Sequence, residues 1–123
     1  MKVTVNITNN FKHGAKPLLK KYPSFKKDLL YLEKDLIKNP KLGTSLGNNC
    51  FKIRLKITSK GKGKSGGARI ISLVETEVIG EVEFAEKETI VNLISIYDKS
   101  ETETITNKEL KDLVAAFFKN KKE

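Results

Sequence analysis

The chain has one cysteine, one histidine and no tryptophan among its 123 residues, and only three prolines. A lone Cys50 excludes an intrachain disulfide and a thiolate metal centre. His13 has no second imidazole or nearby thiol to complete a metal site, so it reads as a surface residue, and no cofactor is expected. No apolar run approaches the ~18 residues that span a bilayer, and the opening MKVTVNIT lacks an apolar signal core. These absences describe a soluble protein of a reducing cytoplasm with no membrane partner. The last absence is local: Cys50 to Ile71, CFKIRLKITSKGKGKSGGARII, holds seven basic residues and no acid.

What is present is charge. The net charge is +9, and it is uneven. Lys and Arg dominate up to Arg69, whereas Glu75, Glu77, Glu81, Glu83, Glu86 and Glu88 make the next segment acidic. An electrically two-sided molecule suits orientation on nucleic acid. A chain of this length is expected to form a single domain over 1–123, burying roughly two-thirds of its unfolded surface.

Val3 to Thr8 alternates like a short strand. Asn9 and Asn10 open a helix carrying Phe11, Ala15, Leu18 and Leu19, which Gly14 and Pro17 weaken or confine to short pieces. Ser24 is placed as the N-cap of a second helix, with Phe25, Leu29, Leu32 and Leu36 on one face, ending near Asn39-Pro40. Leu42 to Asn49 has loop composition. Strands follow at Cys50 to Thr58, about Ala68 to Val78, and Thr89 to Tyr97, with Ile79 to Glu88 as an acidic connection. Thr106 and Glu109 form a capping box for a helix whose Leu110, Leu113, Val114, Phe117 and Phe118 make an apolar stripe. Lys119 to Glu123 should fray. The order predicts an α+β sandwich, β-α-α-β-β-β-α, with an antiparallel-dominated sheet.

In the basic segment, alternation puts Phe51, Ile53, Leu55 and Ile57 on one face of a strand and Lys52, Arg54, Lys56 and Thr58 on the other. Like charges two residues apart repel and do not help folding, so they point to an external polyanion; the plain alternative is a solvated strand face. Gly63-Lys64-Ser65 is not a phosphate loop, because Thr58 stands where that motif needs glycine and a strand follows. Lys60, Lys62 and Lys64 sit among glycines and can follow a phosphate backbone. Asp98 and Glu101 come after the last strand, where charged turn residues are common.

With Phe51-Lys52-Ile53-Arg54-Leu55, Gly61 to Arg69 and Leu93 to Glu101 in hand, the chain resembles the RelE/ParE toxin superfamily, nearest its RelE and HigB branch. The resemblance implies the same α+β fold and a toxin of a type II toxin-antitoxin module, partnered by an antitoxin protein. It implies cleavage of messenger RNA in the ribosome by 2′-hydroxyl attack, leaving a 2′,3′-cyclic phosphate. Lys52, Arg54 and Arg69 match the family's basic positions, with Lys99 and Glu101 completing the implied catalytic set and Lys56, Lys60, Lys62 and Lys64 binding RNA. Ser100 stands where some members carry arginine, and Thr106 where they carry tyrosine; Tyr97 is a further candidate. The general base is unassigned. The same superfamily includes non-cutting ParE-type gyrase inhibitors, and an inactive basic RNA-binding relative is the third reading.

Overall fold

The computed structural model describes residues 2–61, 66–79, 86–99 and 105–121. Along the chain run β1 (Lys2–Ile7), α1 (Asn9–Lys21), α2 (Phe25–Lys38), β2 (Thr44–Gly47), β3 (Cys50–Leu55), a single 3-10 turn (Thr58–Lys60), β4 (Ala68–Ile79), β5 (Glu86–Asp98) and α3 (Asn107–Lys121). The strands form one sheet in the order β1-β5-β4-β3-β2, antiparallel except where β1 runs parallel to β5. This is the predicted α+β class with its helical hairpin, antiparallel-dominated sheet and C-terminal helix. Among the described residues no helix is long and apolar enough to cross a membrane.

One strand was not predicted. Residues 42–49 have loop composition, yet Thr44–Gly47 pairs with β3 through a tight turn at Asn48 and Asn49. Both have positive φ, 53° and 61°, the left-handed conformation that two-residue hairpin turns require and that asparagine tolerates.

The first helix is also more continuous than expected. It runs unbroken through Pro17, capped by the Thr8 hydroxyl, which accepts from the Phe11 amide at 3.2 Å. Burial of Phe11, Ala15 and Leu18 against the sheet outweighs the local preference. Gly14 is needed rather than merely tolerated: a Cβ there would stand 2.7 Å from the Ile96 carbonyl oxygen, so its absence lets α1 settle onto β5.

Ser24 precedes α2 but makes no capping bond. Its hydroxyl donates to Asp28 Oδ2 at 2.8 Å and meets Ser59 Oγ at 2.9 Å. Asp28 stands on the apolar stripe of α2, buried, and also accepts from the Thr58 amide and hydroxyl at 3.0 and 2.7 Å. This ties the helix to the turn that follows β3.

The main core lies between the helical hairpin and one sheet face, built on Phe11, Phe25, Leu36, Ile53, Ile70 and Val91. The opposite face carries a smaller cluster of Cys50, Ile71, Leu73, Ile94 and Leu110, with Leu113, Val114 and Phe117 of α3 half-buried over it. The predicted capping box is present, with reciprocal 3.1 Å bonds between Thr106 and Glu109. Phe118 is 41% exposed and drops out of the predicted stripe. The helix holds through Lys121, whose ammonium reaches Glu75 at 2.7 Å, so the expected fraying does not begin at Lys119.

Candidate functional site

The register of β3 against β4 places Arg54 directly opposite Arg69, and that of β4 against β5 places Arg69 opposite Tyr97. Directly paired residues share a sheet face, so the three side chains form one row across three strands. Lys52 lies two residues earlier on β3, on the same face by alternation. The face is the α3 side, because Cys50, of the same parity, belongs to the smaller cluster there.

Burial separates the two arginines. Arg54 is exposed, whereas Arg69 is only 3% exposed. Arg69 donates to the Ala68 carbonyl at 3.2 Å. Burial and then the neighbouring charge of Arg54 hold the Arg69 guanidinium below its ordinary pKa, with Tyr97 acting in the opposite direction. A guanidinium remains a cation regardless, so the row concentrates positive charge in a poorly solvated place.

Tyr97 is pushed the other way. Burial raises its phenol, while Arg69 and the Ile105 amide pull it down and Glu109 adds to the rise. The phenol is therefore protonated at neutral pH. Its hydroxyl has no hydrogen-bond partner among the described residues that meets ordinary geometry, so the Ile105 amide acts as a nearby dipole rather than a bond.

Lys52, Arg54 and Lys56 line one wall of a groove of about 380 Å³ beside α2, and Asp28, Tyr31 and Asp35 lie on the other wall. A larger groove of about 1320 Å³ runs under α3 and includes Tyr97 but neither arginine. The smaller one lies on the α2 side of the sheet and meets the basic strand at Lys52, Arg54 and Lys56, but holds neither Arg69 nor Tyr97.

Lys60 is engaged within the fold. Instead of a mobile cation among glycines, it is a half-buried partner of Asp98, Nζ to Oδ1 2.8 Å, with 11% and 2% of the two side chains exposed. Tyr22 donates to the other Asp98 oxygen at 3.1 Å, and the Lys60 ammonium lies 5.5 Å from the Tyr22 ring centroid. Burial pulls the ammonium down, but the bond to Asp98 and its charge outweigh this, leaving its pKa raised. Asp98 is thus the last residue of β5 rather than a solvated turn acid. Lys99 follows it, half-buried, with its amide donating to the Gly67 carbonyl at 3.1 Å, at the same end of the sheet as Arg69. Lys62, Lys64, Ser100 and Glu101 lie outside the described residues.

Sequence reasoning missed Asp28 and Tyr22. The available signal for Asp28 was its position: an acid at i+3 from Phe25 and i−4 from Leu32 stands on the buried stripe of its helix.

No family model matches the sequence. A solved structure of the E. coli toxin RelE, a double arginine-to-alanine variant in the free state, is similar to this chain: 17% identity, 84% of this chain and 90% of that chain covered, TM-score 0.49.

Proposed function

We propose that this chain is the toxin of a type II toxin-antitoxin module and an endoribonuclease that cuts messenger RNA on the ribosome. The carrying observation is the pairing of exposed Arg54 with buried Arg69 beside it on the neighbouring strand. Two like charges facing each other weaken a fold, so their presence is best explained by a ligand that needs them.

The chemistry follows from the row. The ribose 2′-hydroxyl loses its proton and attacks the adjacent phosphorus, the bond to the 5′-oxygen breaks, and that oxygen takes up a proton as the 2′,3′-cyclic phosphate forms. The phosphorane gains negative charge on the way. Arg54 can hold two of its oxygens in a fork, while Arg69 contributes field from the neighbouring strand and Lys52 and Lys56 bind the flanking backbone. Tyr97 is protonated and so is not a base, and its buried hydroxyl acts on the row as a neighbouring dipole. Lys99 stands at the same end. An antitoxin would silence the site by covering the basic face or displacing α3.

The test is brief expression in bacteria with mapping of RNA 5′ ends, beside an Arg54→Ala/Arg69→Ala control of verified fold. New ends inside translated codons that vanish in the control support the nuclease. Growth arrest with intact transcripts refutes it.

A second reading has its own observation. Thr106, which stands where some ribosome-dependent members carry tyrosine, spends its hydroxyl on capping α3. That favours a non-cutting, ParE-type gyrase inhibitor, and DNA damage after induction would identify it.

A further inference from the structure

We infer that the groove between α3 and the β1-β5-β4 part of the sheet is a docking site for an extended peptide segment bearing lysine or arginine side chains. The groove meets the basic row only at Tyr97, and the assignment does not depend on the RNA-cutting role proposed there.

Size comes first. At about 1320 Å³ the groove exceeds the ~300–1,000 Å³ typical of small-molecule pockets. It exists because α3 spans the sheet face on few anchors: Leu110 is buried, and Leu113, Val114 and Phe117 are half-buried. Ile90, Ile94, Leu113 and Phe117 give it apolar walls against which aliphatic stems can lie.

Its polar lining suits a peptide main chain. The chain has nine asparagines, and five of them, Asn6, Asn9, Asn10, Asn92 and Asn120, line this one groove. A carboxamide presents a donor and an acceptor side by side, the complement of a backbone amide. Asn92 is fully engaged, accepting from Asn6 at 2.8 Å and donating to Glu75 at 2.9 Å and to the Leu73 carbonyl at 3.1 Å. Asn10 donates to the Ile94 carbonyl at 2.8 Å. The amide oxygens of Asn6 and Asn10, and the whole amides of Asn9 and Asn120, have no partner among the described residues. The Tyr97 hydroxyl, unpartnered as well, lines the same groove.

Charge selects the side chains. On a molecule of net charge +9, this groove is lined by Glu75, Glu77, Glu109 and Asp112, with Lys121 the single cation among its described lining residues. Lys121 is already held by Glu75 at 2.7 Å and Glu77 at 3.6 Å, which leaves Asp112 without an ion-pair partner among the described residues. Such a lining repels nucleic acid and attracts a basic segment.

The experiment is fluorescence anisotropy on the full chain with a labelled decapeptide of alternating lysine and leucine. The wild type should bind it, and Glu77→Lys/Asp112→Lys, two exposed positions, should bind more than about tenfold weaker. If that variant misfolds by circular dichroism, Asp112→Asn serves, with a smaller loss of affinity expected. Absence of binding to the wild type, or equal binding by the variants, overturns the assignment. So does displacement by spermine as effective as that by unlabelled peptide, or equal binding of a backbone N-methylated peptide; either would mean that the groove reads charge alone.

Discussion

Arg54 and Arg69 stand directly opposite each other on adjacent antiparallel strands, one exposed and the other 3% exposed. The pair predicts unequal mutants. Arg54→Ala removes a like charge from beside a buried guanidinium, so stability should hold or rise by about 0.2–1 kcal/mol, while RNA cleavage should fall about a hundredfold or more. Urea titration and 5′-end mapping read the two effects separately. Cleavage that survives in Arg54→Ala would remove this residue from the chemistry.

Lys56 and Lys60 were alike as candidates for RNA contact, but only Lys56 is exposed. Lys56→Ala should lower the slope of log affinity against log salt for RNA by about 1 and leave stability unchanged. Lys60→Met should do the reverse. It takes the ammonium from Asp98, whose side chain is 2% exposed, and breaking such a buried pair costs on the order of 3 kcal/mol. If Lys60→Met proves as stable as wild type while its salt slope falls, the ion pair is not a structural anchor.

The difference between those lysines shows what was legible beforehand. Local signals carried the capping box of α3, the stripe of α2 and the alternation of β3, because each depends on residues a few positions apart. Lys60 and Asp98 are 38 positions apart in the chain, and nothing near either residue announces the other. The row of Arg54, Arg69 and Tyr97 was partly legible: the residue types stood out, but their adjacency depends on strand register, and the burial of Arg69 on packing. Strand β2 was missed because Thr44-Ser45-Leu46-Gly47 has loop composition and is held in the sheet by pairing with β3.

Gly14 provides a test in which local preference and packing oppose each other. Alanine should favour an isolated helix by about 0.8–1 kcal/mol, yet its methyl would stand 2.7 Å from the Ile96 carbonyl oxygen. Overpacking of this kind costs about 1–3 kcal/mol, so Gly14→Ala should be net destabilising. A higher melting temperature in that variant would mean that α1 can shift away from β5 without loss.

Alkaline pH should weaken the fold through groups whose pKa values are raised in the native state, of which Cys50, Tyr97 and Lys60 lie within the fold, while Lys121, raised by its bond to Glu75, is more exposed. Burial raises the Cys50 thiol and the Tyr97 phenol, while Lys60 is raised on balance by Asp98 after burial has pulled it down. Each therefore holds its proton more tightly when folded. Their stabilisation is fully present below the unfolded values of about 8.5 for cysteine, 10 for tyrosine and 10.4 for lysine, and is lost as pH rises through the native ones. Unfolding free energy from urea titration should thus be level from pH 7 to about 8 and fall between about pH 8.5 and 11. Tyr97→Phe isolates one contribution: it deletes a buried hydroxyl that has no partner among the described residues, so stability at pH 7 should not fall. The decline above about pH 10 should become shallower in that variant, and an unchanged slope would show that Tyr97 does not take part.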